Sequence, residues 1–125
     1  MALFDKFTKK DAPAIEPPAS LSIDAQPGIG YAPVSGRVIR MPDVPAKVFS
    51  TEVLGKGCAL WPDGDVVYAP ANGWVGTVMG HAVTIKSDGG VEVLIHVGVN
   101  TVNLKGKGFT SFVSEGERVV AGQAI

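Results

Sequence analysis

The sequence predicts an all-β fold, an antiparallel sandwich or barrel-like body of short strands, on three observations. From Tyr31 onward Gly, Pro and Asp recur at close intervals: Gly36, Pro42-Asp43, Gly55/Gly57, Pro62-Asp63-Gly64, Pro70/Gly73, Asp88-Gly89-Gly90, Gly106/Gly108 and Glu115-Gly116. Between these lie β-rich runs at Gly36–Arg40, Gly73–Met79, Ala82–Lys86 and Val91–Val99, and none keeps a helical period beyond about eight residues. The chain also echoes itself, APVSGRV at 32–38 resembling APANGWV at 69–75. Two similar strand entries predict two similar hairpins on opposite parts of one body.

The 125 residues suffice for one domain with a single core. Residues 31–125 form that domain, behind a disordered or short-helical leader and linker at 1–30. Residues 1–10 can fold as an amphipathic helix, with Leu3, Phe4 and Phe7 on one side and Lys6, Lys9 and Lys10 elsewhere. Such a segment would touch an anionic membrane surface only weakly; the alternative is a frayed, basic terminus. Residues 11–30 carry Pro13, Pro17, Pro18 and Pro27 and little periodicity, the composition of a linker.

Eleven basic against twelve acidic residues leave no excess to grip a phosphate backbone, so nucleic acid is not an expected partner. Asp5 and Lys6 interrupt the apolar stretch a secretory signal would need. No apolar run reaches the ~18 residues of a membrane span. Cys58 alone cannot form an internal disulfide and, beside Gly57, Ala59 and Leu60, reads as core packing. These features predict a cytoplasmic protein.

The informative stretch is HAVTIKSDGGVEVLIHVGVNTV, residues 81–102. Asp88-Gly89 at the tip of a type I′ hairpin would pair Ser87 with Gly90, Lys86 with Val91 and Ile85 with Glu92. Continuing that register sets His81 directly opposite His96, their Cβ atoms roughly 4.5–5.5 Å apart on one face. A three-residue loop would slip the register by one and separate the faces. Val91, Val93, Ile95, Val97 and Val99 then point inward, while Glu92, Leu94, His96, Gly98 and Asn100 point outward.

Paired imidazoles suit phosphoryl transfer. A neutral ring nitrogen is a nucleophile near neutral pH and needs no base to activate it. A second ring can hydrogen-bond to the moving phosphoryl oxygens. Two imidazoles are also two zinc ligands, although zinc takes three or four, so a partner would have to supply the rest; no intrinsic metal or cofactor is expected. A zinc hydrolase fits poorly, because Glu92 lies four residues from His96, about 13 Å along a strand. A biotinyl- or lipoyl-type carrier would explain the hairpins at 69–78 and 115–125. It needs a lysine at a tight hairpin tip flanked by Met or by Asp and Ala, and Lys86 has no such context.

GVEVLIHVGVNTV at 90–102 resembles the phosphorylation-site signature of the glucose-type IIA family of the bacterial sugar phosphotransferase system. Each required position is filled, from Gly90 through His96 and Gly98 to Thr101 and Val102. APVSGRV, MPDVPAKVFS, GKGCALWP, YAPANGWVGTV, NLKGKGF and EGERVVAGQ resemble family segments in the same order, across roughly residues 30–125, and MALFDKF resembles the family leader.

The resemblance implies an antiparallel β-sandwich and a phosphotransferase component, a phosphoryl relay rather than a free-standing multiple-turnover enzyme. His96 would accept phosphate from the histidine phosphocarrier protein, His81 would assist, and a cysteine on a IIB domain would receive it. Phe49, Met79 and Leu94 fall at positions of an apolar docking rim, with Val97, Gly98, Asn100 and Thr101 beside the acceptor. Regulatory target proteins would dock on the same face, which a phosphoryl charge would disrupt.

Three departures stand out. Asn100 replaces a frequent Asp. Met79-Gly80 makes a shorter approach to His81, without the family's Thr. The sequence stops at Ile125, where family members continue with further strands, so an unfinished edge beside Val119 and Val120 is expected unless a partner or second copy covers it.

Overall fold

The computed structural model describes residues 15–125; the expected amphipathic segment at 1–10 lies outside them. Among these residues six strands form two antiparallel sheets, β1 (Gly36–Arg40) with β2 (Cys58–Pro62), and a four-stranded sheet in the order β5-β4-β3-β6. The latter contains β3 (Gly73–Met79), β4 (Ala82–Ser87), β5 (Glu92–His96) and β6 (Arg118–Val119). Among the described residues helix is confined to α1 (Lys47–Ser50) and two single 3-10 turns, Met41–Asp43 and Thr101–Leu104. The four expected runs are β1, β3, β4 and β5, the last shortened at both ends.

The internal echo has a structural counterpart. Tyr31 N–H donates to the Pro70 carbonyl (2.9 Å) and Tyr68 N–H to the Pro33 carbonyl (2.8 Å). The two Tyr-Ala-Pro segments thus exchange reciprocal bonds in antiparallel fashion before entering β1 and β3.

The core lies on one face of the four-stranded sheet, where Val75, Ile85, Ile95 and Val119 meet Ala69, Val113 and Ile125. The covering layer is irregular chain, bonded Ala69 N–H to Gln123 O, Ile125 N–H to Val67 O and Phe112 N–H to Ile125 O. Val119 is fully buried and Val120 exposed, and β6 pairs with β3 alone among the described residues. Ile85 is completely enclosed, so Ile85→Ala is expected to lower unfolding stability by about 2–5 kcal/mol. Urea titration checks this; a loss below about 1 kcal/mol would mean the irregular layer collapses into the cavity.

The β4–β5 register departs from expectation by one residue. Ala82, not His81, faces His96, followed by Val83↔Ile95, Thr84↔Leu94, Ile85↔Val93 and Lys86↔Glu92. The cause is the loop. Gly90 alone takes a positive φ (88°), and its N–H donates to the Ser87 carbonyl (2.9 Å) while Ser87 N–H donates to Val91 O (2.8 Å). This is a three-residue loop, a turn closed by a left-handed glycine, rather than type I′. Ser87 Oγ reinforces it by accepting from Val91 N–H (3.1 Å).

Three smaller differences follow from packing. Of the valine row only Val93 and Ile95 turn into the core; Val91, Val97 and Val99 are exposed because they lie beyond the ends of β5. Cys58 is exposed, since β1 and β2 form a ribbon away from the core, with Val38 and Trp61 also in solvent. The linker is tied to the body where Leu21 N–H donates to the Gly122 carbonyl (2.8 Å).

Candidate functional site

The β3–β4 hairpin turns on two residues, Gly80 and His81, between the paired Met79 and Ala82. Just upstream the β3–β4 register shifts between Val75 and Val78. Thr84 Oγ1 accepts from Thr77 N–H there (2.8 Å), and Glu115 carboxylate accepts from Val78 N–H (3.3 Å). Bulges of this kind re-aim the chain beside functional groups. A Cβ on Gly80 would stand 2.6 Å from the Gly106 Cα, so the loop after Thr101–Leu104 rests directly on this turn.

His81 therefore belongs to a turn, where strand alternation no longer dictates which way a side chain faces. Its carbonyl accepts from Val97 N–H (2.8 Å), anchoring it one residue past His96. The residue is 7% exposed, and its ring meets the His96 ring edge-on, centroids 4.8 Å apart and planes at 76°. The imidazole pairing expected from the sequence is present, although the register that motivated it is not.

His96 ends β5 on the outer face, in a row with Ala82 and Met79. Its Nδ1 lies 3.0 Å from the Gly98 carbonyl. A carbonyl oxygen only accepts, so this contact places the ring proton on Nδ1 and leaves the Nε2 lone pair bare. Gly98 is left-handed (φ 83°), as is Asn100 (φ 59°), and together they turn the chain sharply. Phe49 from α1 packs its ring 4.7 Å from that of His96, tilted by 55°.

Among the other residues singled out, Leu94 pairs with Thr84 on the same outer face as His96 and is 40% exposed. Met79 is likewise half-exposed. Val97, Gly98 and Asn100 are exposed, and Thr101 is half-buried with its hydroxyl turned to the Val97 carbonyl. Sequence reasoning missed Ala82, the small residue opposite His96, and the Gly80–Gly106 contact. Both glycines stood in the sequence, but nothing linked them across 26 positions.

Partial burial lowers the His96 pKa below that of a free imidazole; the Gly98 carbonyl opposes this, and repulsion from His81 adds to it. The ring stays neutral, and nucleophilic, at pH values where a free imidazole of pKa ~6.5 is half protonated. Phosphoryl uptake from a pre-phosphorylated donor is accordingly expected to hold as pH falls through 6.5 and to decline only below it. An NMR titration of the His96 ring beside initial rates checks this, and a decline centred above the free-imidazole value would contradict it. Among the described residues no three His, Cys, Asp or Glu side chains gather to hold a metal.

An all-β body presenting a bare imidazole nitrogen beside a second imidazole, within an apolar surround, has the groups that transfer through a nucleophilic histidine requires. A family profile described as the phosphoenolpyruvate-dependent sugar phosphotransferase system, EIIA 1, matches residues 29–125, and the chain belongs to that family. The chain is 38% identical over 128 residues to the PTS system glucose-specific EIIA component of Haemophilus influenzae, covering all of this chain and 70% of that protein. Its counterpart in Halalkalibacterium halodurans is 44% identical over 97 residues, 76% of this chain and 56% of the relative. A glucose-specific EIICBA component of Staphylococcus carnosus is 43% identical over 100 residues, 15% of its length. The solved glucose permease IIA from Mycoplasma capricolum superposes with a TM-score of 0.73 at 37% identity, over 78% of this chain and 64% of that one.

Proposed function

We propose that this chain is a phosphohistidine carrier of a sugar phosphotransferase system, acting in the cytoplasm without a cofactor. The observation that carries the reading is the His96 ring, with Nδ1 tied to Gly98 and Nε2 free beside His81. The Nε2 lone pair attacks the phosphorus held on a donor imidazole of the histidine phosphocarrier protein; the donor P–N bond breaks and its electrons return to the donor ring. In the second step a IIB cysteine thiolate attacks the same phosphorus and the electrons of the new P–N bond return to Nε2. Fusion of the matching segment within an EIICBA chain in the Staphylococcus relative fits an exchange with a IIB domain.

Phe49, Met79, Leu94 and Val97 supply the apolar rim on which both partners dock, with Gly98, Asn100 and Thr101 at its margin. Regulatory targets dock on the same rim, and a charge of nearly −2 on His96 repels them. No helix among the described residues is long and apolar enough to cross a membrane; a weak contact with an anionic membrane surface through residues 1–10 is part of the proposal. The test is intact mass after incubation with phosphoenolpyruvate, enzyme I and the histidine phosphocarrier. An acid-labile gain of one phosphoryl group is expected, and no gain in folded protein would refute the carrier.

A further inference from the structure

We propose that Thr101 is a positioning residue for the acceptor imidazole: it locks the Gly98 carbonyl in place and thereby determines which His96 nitrogen carries the proton. The inference deepens the carrier reading and rests on it.

The Gly98 carbonyl can direct the tautomer only while it stays beside Nδ1, yet glycine is the residue freest to rotate it away. Two neighbouring contacts remove that freedom. Val97 is held at both ends, its N–H by the His81 carbonyl at 2.8 Å and its carbonyl by the Thr101 hydroxyl. The peptide entering Gly98 is thus fixed. The Thr101 methyl then sits where a side chain on residue 98 would stand. The carbonyl leaving Gly98 remains 3.0 Å from Nδ1. Without these contacts nothing compels the ring to leave Nε2 bare.

The competing role for Thr101 is direct donation to a docked partner or to the phosphoryl oxygens. A hydroxyl has one proton, and here it goes to Val97. A threonine acting outward would need that proton free.

The test compares Thr101→Val, which keeps the methyl, with Thr101→Ser, which keeps the hydroxyl, in the full chain. Thr101→Ala serves if the valine variant fails to fold. Nitrogen-15 NMR of the unphosphorylated protein reads the His96 tautomer with no donor present. Wild type and Thr101→Ser are expected to show a proton on Nδ1 only, and Thr101→Val or Thr101→Ala a mixture. Phosphoryl acceptance should slow about threefold to tenfold in the hydroxyl-less variants, the scale of one hydrogen bond, with KM for the donor unchanged. A single Nδ1-protonated tautomer in those variants overturns the proposal, as does a tautomer shift equally large in Thr101→Ser. A raised KM with an unshifted tautomer would assign Thr101 to docking instead. Because the NMR readout needs no phosphotransfer, a tautomer shift in a chain that accepts no phosphoryl group would uphold the positioning role while refuting the carrier.

Discussion

His96→Ala is expected to take up no phosphoryl group while keeping the fold. The only other imidazole in the sequence is His81, 7% exposed and anchored in a turn through its carbonyl, so a donor reaches His96 first. The fold should survive because His96 stands on the outer face, half-buried, outside the core of Val75, Ile85, Ile95 and Val119. What the variant loses is one bond to Gly98 and contacts with Phe49 and His81, about 1 kcal/mol of stability. Intact mass reads the first effect and a urea midpoint the second. Acid-labile phosphate on a folded His96→Ala chain would move the acceptor role to His81. Unfolding of the variant would show instead that the imidazole is structural.

Much of this site could be read from residue patterns, for reasons that also explain the errors. The signature around His96 is local, because His96, Gly98 and Thr101 lie within six consecutive residues and one sharp turn joins them. A two-residue turn at Asp88-Gly89 sets His81 opposite His96, whereas the hairpin has a three-residue loop and sets Ala82 there. Asp-Gly is a strong type I′ signal, but the second glycine, Gly90, took the left-handed position and lengthened the loop by one. Such a slip would ordinarily send one ring to the other face. It did not, because His81 sits in a two-residue turn after a bulge, where alternation no longer applies. Cys58 failed differently: small apolar neighbours suggest burial, yet they belong to a two-stranded ribbon that the core does not reach.

Substituting His81 should separate the two halves of the relay. His81→Ala and His81→Gln are expected to accept phosphate within a few-fold of wild type, yet pass it on about 10²–10³ times more slowly, the scale of losing one preorganised donor at a developing charge. The asymmetry comes from the nucleophiles. Acceptance brings a neutral imidazole to the phosphorus, so no anion has to approach the phosphoryl oxygens. Donation brings a thiolate toward a group already carrying nearly two negative charges, and a donor at those oxygens matters most there. His81 is placed for that task, edge-on to His96 at 4.8 Å and fastened to the same strand through the Val97 N–H. Mixing pre-phosphorylated variant with a IIB domain isolates the second step; reaction with phosphorylated carrier protein isolates the first. Equal slowing of both would reduce His81 to a packing partner that steadies the acceptor ring, and an unaffected second step would remove it from the chemistry altogether.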